Sequence, residues 1–143
     1  MLNPAVRYYE LEKASERGLR VLMVEDNPIN RRILTLVLER LPAKLTVAEN
    51  GLQAVEAFEA QAFDVVLMDL QMPGMDGYEA MRRIRAIEAA AGRGRTPIIV
   101  VSAHTRAHEM AEARLAGADH HLAKPVDIPS LLATMDAVVQ AAA

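Results

Sequence analysis

The stretch Asp64-Val65-Val66-Leu67-Met68-Asp69, followed by Leu70-Gln71-Met72-Pro73-Gly74-Met75-Asp76-Gly77, decides how this chain is read. A continuous apolar run of this length, rich in branched residues and closed by a Pro-Gly turn, reads as a strand buried on both faces of a parallel sheet. Asp69 stands where that strand leaves the core. In open α/β sheets the carboxyl ends of the strands are where ligands bind. Taken alone, Asp69 fits better as the first residue of a turn. The other strand ends separate the two readings.

Three further apolar runs also finish on a polar residue. Val21-Leu22-Met23-Val24 runs into Glu25-Asp26, Ile98-Ile99-Val100-Val101 into Ser102, and His121-Leu122-Ala123 into Lys124-Pro125. Four strand ends then bring a carboxylate pair, a lone carboxylate, a hydroxyl and an ammonium to one edge. With these positions, and with the string Met68-Asp69-x-Gln71-Met72-Pro73-x-Met75-Asp76-Gly77, the sequence resembles the receiver domain of two-component response regulators. More narrowly, it resembles the receivers fused to hybrid sensor histidine kinases. The resemblance spans about residues 20–140. It leaves 1–19 as an N-terminal linker or tail and 141–143 as a C-terminal tail.

The remaining punctuation follows a strand–helix alternation. Asn27 is placed to cap a helix with Pro28 at its first position. Ile33, Leu34, Val37, Leu38 and Leu41 form its apolar face. Lys44 to Ala48 suits a more exposed strand. Asn50 with Gln53, and Asp76 with Glu79, have capping-box spacing. Val55, Phe58 and Ala62 give the second helix a core face, and Ala80, Ile84, Ile87 and Ala91 the third. Arg82, Arg83 and Arg85 read as a solvated face balanced by Glu79 and Glu88. The fourth helix, from about Arg106 to Ala116, has only Met110 and Leu115 as large apolar groups. A weakly anchored helix suits adjustable packing. Asp127 caps a last helix striped by Ile128, Leu131, Leu132, Met135, Val138 and Val139. In the N-terminal segment Leu2, Val6, Tyr9 and Lys13 are spaced for a short helix. Five alternations predict an α/β fold, a doubly wound five-stranded parallel sheet with five helices. The resemblance implies the flavodoxin-like strand order 2-1-3-4-5.

Composition narrows the function classes. At 143 residues and net charge -3, the chain has no general basic field to hold nucleic acid or an anionic membrane surface. No apolar run approaches the about 20 residues that cross a bilayer, and there is no signal-peptide pattern. Cysteine is absent, which removes thiol catalysis and disulfides and fits a cytoplasmic protein. Aromatics are 3%, too few for a base-stacking platform. His108, His120 and His121 lack a spacing with carboxylates that would build a zinc site.

Glu25, Asp26 and Asp69, if brought together by neighbouring strands, repel one another unless a cation lies among them. Hard oxygen ligands with room for water favour Mg2+. Asp26 and Asp69 are expected as direct ligands and Glu25 as a ligand through water; the resemblance adds the backbone carbonyl of Gln71. Phosphoryl transfer needs in-line approach and neutralised equatorial oxygens. Asp69 is the expected phosphoacceptor, Lys124 a point charge on one oxygen, and Ser102 or a loop N–H the donor to another.

The resemblance implies the rest of the cycle. The donor is a phosphohistidine on a sensor histidine kinase or a histidine phosphotransfer protein, docking near Ile29, Asn30 and Ile33. Lys124-Pro125 is cis, and the face of helix 4, strand 5 and helix 5 is switched and offers a homodimer contact. Ser102 moves toward the new charge, and the residue three before the lysine follows it. In the family that residue is aromatic; here it is His121, a departure that predicts weaker or pH-sensitive coupling. Gln71 and His104 occupy positions that tune dephosphorylation. Such a domain is not a conventional enzyme, although it catalyses its own phosphorylation and autodephosphorylation. Two other readings compete. A haloacid dehalogenase-type phosphatase needs an acid two residues after its nucleophile, where this chain has Gln71. A non-phosphorylated pseudo-receiver, acting as an interaction module, needs none of the five site residues that are present.

Overall fold

A computed structural model describes residues 19–142, and the side chains of residues 19–138. The proposed helix on Leu2, Val6, Tyr9 and Lys13 lies outside the described residues, as does the side chain of Val139. In chain order the elements are β1 (Arg20–Val24), α1 (Pro28–Leu38), β2 (Lys44–Ala48), α2 (Gly51–Ala60), β3 (Val65–Asp69), α3 (Gly77–Ala91), β4 (Ile98–Ser102), α4 (Ala107–Ala116), β5 (His120–Ala123) and α5 (Ile128–Ala142). The five strands are parallel in the order β2-β1-β3-β4-β5. This is the flavodoxin-like fold expected from the sequence. Helix α5 continues through Ala142, past residue 140.

Alternate residues of the central strands feed two cores. Leu22, Val66, Met68, Ile98 and Val100 meet Phe58 of α2, Met81 and Ile84 of α3, and Ala113 of α4 on one face. Val21, Met23, Leu67, Ile99 and Val101 meet Leu34 and Leu38 of α1 and Leu131 and Met135 of α5 on the other. Strands β3 and β4 are buried along their whole length, as continuous apolar runs in parallel sheets are. No helix among the described residues is long and apolar enough to cross a membrane.

The helix caps fall where the sequence places them, with two partners changed. Asn27 accepts from the N–H groups of Ile29 and Asn30 with Pro28 first in the helix, Asn50 accepts from Gln53 N, and Asp76 from Glu79 N. Asp127 accepts from Ser130 N. The reciprocal half of each capping box goes elsewhere. Gln53 accepts from Glu49 N, one residue before the cap, and Glu79 pairs with Arg82 and Arg83.

Several apolar assignments are corrected. Ile33 and Ile128 are 52% and 45% exposed, outside the arc that α1 and α5 press on the sheet. Ala62 and Ala91 are also exposed, and Ala54 and Met81 take the buried positions. Leu115 is 90% exposed, so small alanines anchor α4 in its place. Arg85 is not on a solvated face: its side chain is 15% exposed and paired inside the fold.

Candidate functional site

The β1–β3 register sets Val24 beside Met68, so the next residues of both strands emerge together at the sheet's carboxyl edge. There one carboxylate oxygen from each of Glu25, Asp26 and Asp69 lies within 4.8 Å of the others. Glu25 and Asp69 are buried, at 1% and 5% exposure. Helix α3 begins directly behind Asp69. A Cβ on Gly77 would lie 2.2 Å from the Asp69 carbonyl oxygen, so only glycine lets that helix start so close. Gly74, at φ 76°, supplies the left-handed position of the intervening Pro73-Gly74 turn.

The fifth strand delivers the cation. Lys124 Nζ lies 3.0 and 3.1 Å from the two Glu25 oxygens and 3.3 Å from Asp69 Oδ1. The Lys124–Pro125 bond is cis, as the resemblance implies. Lys124 N also donates to the Ser102 carbonyl at 3.0 Å, which ties the ends of β4 and β5.

One ammonium does not neutralise three carboxylates. Burial, and then the Glu25 carboxylate, raises the Asp69 pKa against the opposing pull of Lys124. Burial and Asp69 raise that of Asp26 in the same way. The donor set is all oxygen, clustered and electrostatically frustrated, which fits a hard divalent cation and does not fit one that needs nitrogen or sulfur.

Ser102 is buried, and its Oγ accepts from His104 N at 2.9 Å. The His104 ring turns toward α4, with Nδ1 2.8 Å from Glu109 Oε2. Gln71 is exposed on the β3–α3 loop, and its N–H donates to Asp69 Oδ1 at 3.4 Å. His121 is half-buried on β5. Neither of its ring nitrogens, both buried, has a hydrogen-bond partner. Burial lowers its pKa, and the His104 backbone and the charge of Glu109 oppose this without reversing it.

Arg31 is a member of the site that motif reading missed. Its Nη1 donates to the carbonyls of Glu25 and Asp26 at 3.3 and 3.4 Å, and Nη2 lies 3.7 Å from Glu49. The signal was its position in the first turn of α1, directly after the acidic pair. Beside the site, Asn30, Ile33, Leu34, Lys124, Pro125 and Val126 line a groove of about 430 Å³. Ile29, 71% exposed, extends this apolar rim along α1.

Comparison with known proteins agrees with this arrangement. Residues 21–136 match the family model described as the response regulator receiver domain. The chain is 44% identical over 112 residues to the sensor protein GacS of Pseudomonas syringae pv. syringae, which covers 78% of this chain and 12% of that protein. Curated relatives of this kind are much longer: the chain spans between 8% and 18% of their length. Among solved structures, the receiver domain of the Pseudomonas aeruginosa sensor histidine kinase PA1611, with magnesium coordinated in its active-site cleft, superposes with a TM-score of 0.77. It shares 35% identity and covers 86% of this chain and 98% of that one. The Saccharomyces cerevisiae co-crystal of the histidine phosphotransfer protein Ypd1 with the receiver domain of Ssk1 matches with a TM-score of 0.76. Identity there is 31%, over 80% of this chain and 83% of that one.

Proposed function

Because the chain belongs to the response regulator receiver domain family, we propose that it is the phosphoacceptor module of a two-component phosphorelay, with Asp69 taking a phosphoryl group from a phosphohistidine. The observation that carries this reading is the placement of Lys124 between Glu25 and Asp69, with the acidic cluster gathered on neighbouring strand ends.

In the transfer, an Asp69 carboxylate oxygen attacks phosphorus in line with the departing nitrogen. The O–P bond forms, the P–N bond breaks, and its electron pair stays on the donor's imidazole. Lys124 sits within reach of Asp69 and compensates charge on a phosphoryl oxygen; the Ser102 hydroxyl donates to another. Asp26, Asp69, Glu25 and the Gln71 carbonyl would hold Mg2+, which supplies charge neutralisation for the incoming phosphoryl oxygens. Gln71 and His104 flank the acceptor and set how water reaches the product. The donor is a sensor histidine kinase, or a histidine phosphotransfer protein as in the yeast co-crystal. It docks on the apolar rim of Ile29, Asn30 and Ile33, above the groove beside Lys124. The module works in the cytoplasm, within or alongside a hybrid kinase such as the long relatives it matches.

Intact mass after incubation with acetyl phosphate tests the reading. Wild type gains about 80 Da when Mg2+ is present, and Asp69→Ala gains nothing. Absence of any gain with every donor would leave the interaction-module reading in its place.

A further inference from the structure

Strand β2 lies at the edge of the sheet and pairs with β1 alone. Lys44 N donates to the Leu19 carbonyl, and the Ala48 carbonyl accepts from Glu25 N. The even-numbered residues of β2 therefore turn their main-chain groups toward β1, and Leu45 and Val47 turn theirs outward. The next outward N–H on each side is already taken. Ala43 N donates to the Leu41 carbonyl at 2.8 Å, and Glu49 N to Gln53 Oε1 at 2.8 Å. The open edge is thus confined to the main-chain groups of Leu45 and Val47.

Helix α1 leaves that edge uncovered on its side of the sheet. A groove of about 340 Å³ runs between them, lined by Arg32, Thr35, Leu36 and Glu39 of α1 and by Val47 of β2. Leu36 and Val47 are 51% and 40% exposed. Arg32 and Glu39 are exposed, and their side chains form no ion pair among the described residues. Natural sheets blunt their edges with proline and charge. Here Pro42 and Lys44 stand before the open pair, and neither outward residue is blunted.

We propose that two copies of this chain associate edge to edge through β2, antiparallel about a two-fold axis at Thr46, so that two five-stranded sheets join into one. The free groups choose the register. Leu45 of one copy opposite Val47 of the other satisfies every open donor and acceptor of both edges. The next register in either direction sets one of them against Ala43 or Glu49, whose N–H is committed. The same axis is self-complementary on the helix above. With Thr35 and Leu36 nearest the axis, Arg32 of each copy faces Glu39 of the other, about one helical turn to either side. The two apolar grooves close on each other between these charges. A two-fold interface joins one patch to itself, and this patch carries its own counter-charges in reversed order. Because the strands run opposite ways across the axis, the two carboxyl edges lie at opposite ends of the joined sheet and each acidic cluster stays open. The inference is independent of whether Asp69 takes a phosphoryl group.

Sedimentation equilibrium of the full chain over a wide range of concentration tests this. The weight-average mass of wild type climbs toward that of two chains. Arg32→Glu and Glu39→Arg, both at exposed positions, each set like charges across the axis twice and weaken dimerisation by about tenfold or more. The double variant restores both pairs in reverse and recovers most of the loss. Thr46→Cys introduces the one thiol of the chain, at a non-hydrogen-bonded pair whose Cα atoms stand about 4.5 Å apart, within disulfide reach. Mild oxidation captures that variant as a covalent dimer, and Arg32→Glu in the same chain slows the capture. A wild type that stays monomeric at every concentration, a dimer indifferent to the single reversals, or a double variant as weak as the singles would overturn the proposal. So would a thiol variant that forms no disulfide while wild type dimerises.

Discussion

The two ends of the sheet treat charge in opposite ways. At the carboxyl edge Glu25, Asp26 and Asp69 share one ammonium, and burial with mutual repulsion raises the pKa of both aspartates. At the amino edge Arg85 and Arg95 face Glu88 and Asp119 in equal number, and the remaining donors and acceptors meet backbone groups of Thr96, Ile98 and Gly117. The closed set holds the fold; the open set stores an unmet need for positive charge, which a divalent cation can satisfy. Removing a charge from one end should therefore have the reverse effect of removing one from the other.

The largest effect belongs to the closed end. Arg85→Met leaves Glu88, 5% exposed, without its cation, strips the Thr96 carbonyl of its donor and leaves the Gly117 carbonyl with the 3.2 Å bond from Arg95 alone. Breaking a buried pair by deleting one partner costs about 3–5 kcal/mol, so urea unfolding should show a loss of that size with the slope unchanged. A loss below about 1 kcal/mol would mean that the network behaves as surface charge and that the contrast between the ends is false.

The open end should respond with the opposite sign. Asp69→Asn removes one of three mutually repelling carboxylates, while Lys124 keeps both Glu25 contacts. Relief of functional-site strain of this kind is worth about 1 kcal/mol, so in Mg2+-free buffer the variant should unfold at a higher temperature than wild type. Adding Mg2+ should raise the wild-type Tm and leave the variant nearly unmoved. If Asn lowers stability without Mg2+, the acidic cluster is already balanced and the comparison collapses.

The open end was legible in the sequence because each of its groups follows an apolar strand. Val66-Leu67-Met68 running into Asp69, or Val100-Val101 into Ser102, marks both where the chain leaves the core and what it carries there. The closed end was not legible. Arg85 sits among Arg82 and Arg83, and although Glu88 lay within local reach, its partners Gly117 and Asp119 and the second arginine, Arg95, lie in two other loops, so no local pattern connects the set. The clue was position: residues 81, 84 and 88 share the buried face of α3, and Arg85 borders it. Leu115 and Ile33 misled for a related reason. An apolar side chain on a helix can lie just outside the contact arc, and only packing fixes how wide that arc is.

Between the two ends lies one charge that neither set accommodates. The ring nitrogens of His121 are buried and without partners, and burial lowers its pKa below the usual value near 6.5. The unfolded chain therefore takes up this proton at a higher pH than the folded one does. Wherever the unfolded state binds more protons, stability rises with pH; so wild type should lose stability as pH falls below about 6.5, until the folded ring also protonates. His121→Phe removes that slope and keeps a ring of similar size in place. Urea unfolding of both proteins at pH 8, 6.5 and 5.5 separates this from titration of the acidic cluster, which is common to the two and cancels in their difference. The gap should widen in favour of phenylalanine toward acid, by a fraction of the Asp69 effect. Parallel stability curves would mean that His121 finds a partner for its proton, leaving the acidic cluster at the carboxyl edge as the group that burial and repulsion hold out of balance.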